Sequence, residues 1–369
     1  MPKATPPPLF PYNYPENPTL PRLKSLFANP ITYTSATMKA WQYTSANGVL
    51  EKNLYLNENA AQPSQALAES DVLVEVISMG LNPADYKLAE MGCVAKVMIR
   101  TPATPGLDFS GRVVSTGSAM DSLKIGDAVF GRLDPTQHGT LGQFIIARYD
   151  GCALLPDGVE PDQGAAVGTA GLTAYQTIVP NVKAGDRVFI NGGSGGTGTF
   201  GIQIAKAMGC HVTVSCSTGK ASLCRELGAD EVIDYTTTNI SQKLKENGQI
   251  YSIVVDNVGT SPSDLYKAAD DFLLPQGKFV HVGGAASLES ARIVAKRLLL
   301  PGVLGGGKRK FEVYSTKNKH DDLVQIGQWM MEGKVKAIID QVFEFGDALK
   351  AIERLKGGRN AGKIIVHIT

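Results

Sequence analysis

A chain of 369 residues is too long for one ordinary core, so two domains are expected. An apolar fraction of 43% is that of a globular protein, and a formal net charge of +1 argues against nucleic acid or a membrane surface as the main partner. Five scattered cysteines, none in a CxxC pair, read as reduced thiols of an intracellular protein and not as a disulfide framework or structural zinc site.

Residues 1–37 form a proline-rich arm, with nine prolines in the first thirty residues. Such a segment is extended or disordered and cannot be a helix. It has no apolar signal-peptide core, and its prolines oppose the amphipathic helix of a transit peptide. A cytoplasmic location is the expectation, with a mitochondrial one as the alternative. From Met38 the pattern turns to short strands at "MKAWQY", "DVLVEVISMGLN", "FSGRVVSTG", "DAVFGRL" and "GQFIIARYD", punctuated by Gly, Pro and Asp. The run "PDGVEPDQGAAVGTAGLTAYQTI" reads as one helix. Strand and helix then alternate: "RVFIN", a glycine turn, a helix through Met208, "HVTVS", "EVIDY", "SIVVDN", "KFVHVG" and "KFEVY". That rhythm builds a doubly wound parallel sheet. The most apolar segment, from Ala291, is broken by Arg292, Lys296, Arg297 and Pro301, so it does not span a bilayer. The tail predicts a helix at "DDLVQIGQWMMEG", a strand near "AIIDQVFEF", a helix at "DALKAIERLK" and a last strand "KIIVHI".

Within "NGGSGGTG", Gly193, Gly195 and Gly198 satisfy G-x-G-x-x-G between a predicted strand and a predicted helix. The pattern alone is weak, and that placement gives it weight. Glycines let the backbone turn sharply and approach a pyrophosphate, whose charge the helix N-terminus favours. The competing explanation is a βα turn that binds nothing.

An NAD site usually ends its second strand with an acid that binds the ribose diol. No Asp or Glu occurs from Arg187 to Arg225, and the second strand leads instead into "SCSTGK", with Ser217 and Lys220. Hydroxyl and cationic donors suit a 2′-phosphate, each charge-assisted bond contributing roughly 1.5–3 kcal/mol. NADPH is therefore the expected cofactor.

The motifs "LNPADYK" (Leu81–Lys87), "PGLDFSGRVV" (Pro105–Val114), "KIGDAVFG" (Lys124–Gly131), "KAGDRVFINGGSGGTG" (Lys183–Gly198) and "GKIIVHI" occur in order. Together they resemble the medium-chain dehydrogenase/reductases of the zinc-independent quinone oxidoreductase and enoyl reductase branch, over Met38 to Thr369. The resemblance implies an α/β protein with a GroES-like β-rich catalytic domain split in sequence, residues 38–176 and 316–369, around a Rossmann domain at 177–315. It places the active site in the cleft separating the two. The family's catalytic zinc positions fall on Asn82, Leu107 and Thr169, none a normal zinc ligand, so no metal is expected. The implied reaction is NADPH-dependent hydride transfer to an activated C=C of an enone, enal or enoyl compound. An NADPH:quinone reductase and a non-catalytic NADPH-binding scaffold are the alternatives.

The resemblance makes Lys87 the first catalytic candidate, able to hydrogen-bond a carbonyl or supply a proton. The alternative is a loop lysine paired with Asp85 or Asp108. Thr173 in "TAGLTAY" resembles the family threonine facing the nicotinamide or ribose. Asn82 is expected to line the pocket, and Tyr86 is a weaker proton-donor candidate. Ser194, Gly195, Gly196, Thr197 and Gly198 are implied for the pyrophosphate, and Ser217 with Lys220 for the 2′-phosphate. Tyr235 is implied near the adenine, with Asn257, Val258, Val282, Gly283 and Gly284 flanking the nicotinamide. The segment Ser287–Tyr314 either walls the substrate pocket or packs against a second copy in a homodimer.

Overall fold

The computed structural model describes residues 36–46, 48–63, 66–92, 95, 97, 99–137, 139–259, 261–282 and 308–369. Most of the proline-rich arm lies outside these residues, as do Gly283, Gly284 and most of Ser287–Tyr314. The described elements begin with β1 (Thr37–Tyr43), α1 (Leu50–Asn53), β2 (Leu54–Ala61), β3 (Asp71–Leu81), α2 (Pro83–Ala89), β4 (Asp108–Thr116) and β5 (Ala128–Arg132). They continue through β6 (Phe144–Arg148), β7 (Cys152–Leu154), α3 (Pro161–Ala165) and α4 (Gly168–Ile178). Next come β8 (Arg187–Asn191), α5 (Gly196–Ala207), β9 (His211–Cys216), α6 (Ala221–Glu226), β10 (Glu231–Asp234), α7 (Ile240–Asn247) and β11 (Tyr251–Asp256). The chain closes with α8 (Leu265–Phe272), β12 (Leu273–His281), β13 (Lys310–Val313), α9 (His320–Met331), β14 (Ile339–Phe343), α10 (Ala348–Lys356) and β15 (Lys363–His367). No helix among the described residues is long and apolar enough to cross a membrane.

The chain divides into two compact units, residues 1–169 with 318–369, and residues 170–317. In the first, β3 is the central strand, pairing antiparallel with β4, β6 and β15. Its run "DVLVEVISMGL" is apolar almost throughout because both faces are covered. Val74, Val76, Phe109, Val113, Val129, Ile364 and Val366 share its core. The tail thus completes the unit by inserting β15 beside β3, which explains why a unit can be split in sequence. β1 and β2 form a separate antiparallel pair.

The second unit holds a parallel sheet in the order β10-β9-β8-β11-β12-β13. That is the 3-2-1-4-5-6 order of the doubly wound dinucleotide fold. The sheet is packed on one side by Phe189, Val254, Tyr251, Phe272 and Phe279. Tyr251 and Phe272 meet edge-on at 6.0 Å, and Tyr266 and Phe279 at 5.1 Å, the arrangement aromatic quadrupoles favour.

Local features differ from the sequence expectation, two of them in an informative way. The run expected as one helix is two, α3 and α4, interrupted after Ala165. The Asp108 carboxylate from β4 accepts the Thr169 N–H at 2.7 Å, giving the second helix its own N-terminal partner. β2, "LYLNENAA", was not expected at all; much of it faces solvent, so it lacks the apolar alternation of a half-buried strand.

Candidate functional site

In the second unit β8 ends at Asn191, beside Asp256 at the end of β11. Asn191 Nδ2 donates to Asp256 Oδ1 at 2.8 Å and to the Ser261 carbonyl at 2.9 Å. Its Oδ1 accepts from Ser215 Oγ at 2.6 Å. Ser215, on β9, also takes the Gly192 N–H on its hydroxyl (2.9 Å) and the Gly193 N–H on its carbonyl (2.8 Å). The entrance to the glycine turn is therefore anchored to the strands on both sides of β8. Asp256 Oδ1 further accepts from Val258 N and Gly259 N, at 3.2 and 2.9 Å, and the Asp256 carbonyl takes Val282 N at 3.0 Å. Asn257 N donates to the Asn191 carbonyl at 3.2 Å. Thus Asn257, Val258 and Val282 are brought together beside the turn that carries Ser194, Gly195, Gly196, Thr197 and Gly198.

The three motif glycines have different physical reasons. A Cβ on Gly193 would lie 2.7 Å from the Val214 side chain, and one on Gly198 only 2.2 Å from the Gly192 carbonyl oxygen. Packing alone forbids a side chain at both. Gly195 is different: its nearest neighbour to a built Cβ is the Gly192 oxygen at 3.7 Å, an ordinary contact. The protein itself leaves that position open, immediately before the first turn of α5. This matches the role of a second glycine that lets a pyrophosphate approach the backbone. Asn257 adds a second sign of a ligand, because among the described residues its buried Oδ1 and Nδ2 have no hydrogen-bond partner. Buried amide groups are normally paired, and the carboxamide of a nicotinamide could pair with both atoms. The residues present fit a nicotinamide dinucleotide.

Ser217 and Lys220 bracket the short turn after β9, both half-buried. An acid that lies beyond the Arg187–Arg225 window reaches this turn: Asp234, ending β10, accepts from Thr218 Oγ1 at 2.5 Å and from Thr236 N and Oγ1 at 2.9 and 2.7 Å. Those hydrogen bonds, Thr218 first, hold its carboxyl below the usual range. Sequence reasoning missed Asp234 because strand pairing, not sequence distance, sets it opposite Cys216. Tyr235 follows it and is largely exposed. Thr173, buried on α4, shares a 2.5 Å hydroxyl contact with Thr316.

In the first unit Asn82, Tyr86 and Lys87 lie on one segment, the residue before α2 and the helix itself. Pro83 occupies the first helical position, where its missing N–H costs nothing. Lys87 is half-buried, and burial lowers its ammonium from the ordinary lysine value. Tyr86 packs against the core beneath the Lys356 ammonium, 4.9 Å from its ring centroid, and that ammonium bridges Glu51 and Glu90 at 2.5 Å each. Burial raises the Tyr86 phenol and Lys356 opposes it.

The positions that the family resemblance aligns with zinc ligands are otherwise engaged. Asn82 Oδ1 accepts from Lys363 Nζ at 2.6 Å, and its Nδ2 donates to Asp108 Oδ2 at 2.8 Å. Thr169 Oγ1 donates to Asp108 Oδ1 at 2.6 Å, and Leu107 is buried. Among the described residues no three His, Cys, Asp or Glu side chains gather to hold a metal ion. Neighbouring Asp85 donates its backbone N–H to the Asn82 carbonyl and takes Asn82 N on Oδ2 at 2.7 Å. Burial, then the Asp108 charge, raises its carboxyl to about 7 against the pull of Asn82 N, Lys363 and Arg132.

Comparison with known proteins adds identity to this geometry. The family model described as alcohol dehydrogenase GroES-like domain matches residues 68–171, and that described as zinc-binding dehydrogenase matches residues 227–366. A trans-enoyl reductase of Aspergillus terreus is 50% identical over 347 residues, covering 90% of this chain and 97% of its own. A zinc-type alcohol dehydrogenase-like protein of Schizosaccharomyces pombe is 35% identical, covering 89% and 96%. The solved quinone oxidoreductase of Coxiella burnetii superposes with a TM-score of 0.77 at 28% identity, covering 90% of this chain and 99% of that one.

Proposed function

The chain belongs to the medium-chain dehydrogenase/reductase family, in its enoyl and quinone reductase branch, and on that premise we propose that it reduces the activated C=C of α,β-unsaturated carbonyl compounds with NADPH and no catalytic metal ion. The observation that carries this reading is the glycine turn, whose Gly195 is left open by the protein while Gly193 and Gly198 are closed by packing. The name of the Aspergillus terreus relative supports enoyl chemistry.

A bound reduced nicotinamide dinucleotide supplies the hydride. The chain's own residues bind and orient. Asn191, Ser215 and Asp256 hold the turn, and the Asn257 amide, without a partner among the described residues, offers a donor and an acceptor to the ring's carboxamide. Ser217 and Lys220 offer donors to the 2′-phosphate. Lys87 donates a hydrogen bond to the substrate carbonyl, where negative charge develops as the β-carbon is reduced. Its lowered ammonium makes it a better proton donor than an exposed lysine. A catalytic zinc needs three protein ligands. Asn82, Leu107 and Thr169 supply no such set, and the first of them is already bonded to a cation.

The test is NADPH oxidation with a panel of enones, 2-enoyl thioesters and quinones, compared by kcat/KM. The highest values are expected with enones or enoyl thioesters. The Coxiella burnetii likeness favours the second reading, quinone reduction, which highest values with quinones would establish. NADPH binding without oxidation by any of the panel would leave a dinucleotide-binding scaffold.

A further inference from the structure

The first unit buries four charged side chains around one residue. Asp85, Asp108, Arg132 and Lys363 are each no more than 5% exposed, and Asn82 lies among them at 4%. A lysine loses its hydration on such burial and needs partners in return. Lys363 opens β15 directly after Gly362, which has φ +83° and whose Cβ would stand 2.1 Å from the Ile338 carbonyl oxygen. Only glycine fits there, and the chain then enters the sheet with Lys363 pointing into the unit. Its Nζ reaches Asn82 Oδ1 at 2.6 Å and Asp108 Oδ2 at 3.1 Å.

The Asn82 side chain uses both ends of its amide. Its Nδ2 donates to Asp108 Oδ2 and to the Gly80 carbonyl at 3.1 Å, and its Oδ1 takes the Lys363 ammonium. A flipped amide would set its NH2 group against that ammonium, so Lys363 selects one orientation. Asn82 is also tied to the start of α2 through Asp85, by the two hydrogen bonds that run between them. Arg132 completes the cluster by donating to Thr169 Oγ1 at 3.1 Å and to Asn318 Oδ1 at 2.8 Å.

We propose that Lys363 is a positioning residue for the reduction: through Asn82 it sets the placement of helix α2 and so of Lys87. The role rests on the reading of Lys87 given above. Geometry of this kind has large kinetic leverage, since a misplacement of about 1 Å can cost up to about a hundredfold in rate.

The experiment is a double-mutant cycle on the full chain, with Lys363→Met, Asn82→Ala and the pair, measuring kcat, KM for the enoyl substrate and NADPH affinity. Lys363→Met is expected to lower kcat at least about tenfold while NADPH affinity stays within about twofold. Added to Asn82→Ala it should cost little more, because residues acting as one unit are not additive. Should Lys363→Met fail to fold, Lys363→Gln, which keeps a donor without the charge, enters the same cycle, with an expected loss of about threefold or more. A kcat within about twofold for the folded Lys363 variant, or losses that multiply in the pair, would overturn the proposal. A wild-type chain that reduces none of the panel sinks the functional reading alone. Hydrogen exchange over residues 83–89 of the folded Lys363 variant then decides the positioning: faster exchange supports it and unchanged exchange overturns it.

Discussion

Asn191 Nδ2 stands 2.8 Å from Asp256 Oδ1, joining the ends of two parallel strands where the strand order reverses. A ligand bound outside such strand ends meets a rigid floor, because that same carboxylate oxygen also accepts Val258 N and Gly259 N. Replacing Asp256 by Ala would leave three buried or half-buried donors without their acceptor. We expect Asp256→Ala to destabilise the protein by about 3 kcal/mol or more. Urea unfolding followed by circular dichroism measures this, and a midpoint unchanged from wild type would refute it.

The glycine turn separates folding from binding. Gly198→Ala forces a Cβ to 2.2 Å from a backbone oxygen, so it should destabilise the second unit. Gly195→Ala meets nothing closer than 3.7 Å. It should leave the melting temperature within about 2 °C of wild type, a shift of roughly 1 kcal/mol or less, yet weaken dinucleotide binding at least about tenfold. Calorimetric melting and titration of nicotinamide fluorescence check the pair together. Equal effects of the two substitutions on melting would remove the ligand-based reason for Gly195.

Lys220 tests the choice of dinucleotide. Loss of one charge-assisted bond to a 2′-phosphate should cost roughly 1.5–3 kcal/mol of NADPH affinity, with NADH affinity unchanged. Asp234, at the end of β10 and bonded to Thr218 of this turn, would oppose such an anion, although its half-buried carboxylate is screened by solvent. If Lys220→Ala weakened both dinucleotides alike, the 2′-phosphate assignment would be withdrawn.

Lys87→Ala should lower kcat by about a hundredfold or more, the range of a lost general acid, and change NADPH affinity by less than about threefold. The direction of its shift predicts a wild-type alkaline limb below the ordinary lysine value, because burial favours the neutral amine. The pH profile of kcat for both proteins measures this. The same limb persisting in Lys87→Ala would assign it to another group.

His367 on β15 lies 3.1 Å from both oxygens of Asp162, which also accepts from Ser78 Oγ at 2.6 Å, and its Nδ1 is 3.6 Å from Glu344. Burial disfavours the imidazolium, but the bond and charge of Asp162, then Glu344, outweigh it and raise its pKa above 6.5. A raised histidine stabilises the fold fully below its unfolded value and loses that contribution as pH rises through the folded one. The wild-type urea midpoint, relative to His367→Gln, should therefore fall from about pH 6.5 upward. A constant difference between the two across that window would contradict the pairing.

Legibility varied with the range of the interactions. The strand, glycine turn and helix from Arg187 to Ala207 were readable because each signal is local: a buried strand, a turn and an apolar helix in succession. The insertion of "KIIVHI" beside β3 was readable only through family resemblance, since pairing of Ile364 with Leu81 leaves no local mark. The cluster around Asn82 was not readable at all. Lys363 and Asn82 are 281 positions apart, and a lysine in "GKIIVHI" looks solvated until the strand is placed. Lys87 was weighed as a possible loop lysine paired with Asp85 or Asp108, whereas it lies on helix α2. Asp234 escaped because the acid was sought along the second strand, and it comes from the third.

Hydride delivery from NADPH to an activated double bond can be followed by isotope transfer. NADPH deuterated at the transferable C4 position, incubated with the protein and a 2-enoyl thioester, should place deuterium on the product's β-carbon, with NADH at the same concentration far less effective. Tight NADPH binding with no label in the product from any enone or enoyl thioester would exclude this reaction, as would turnover that requires added zinc.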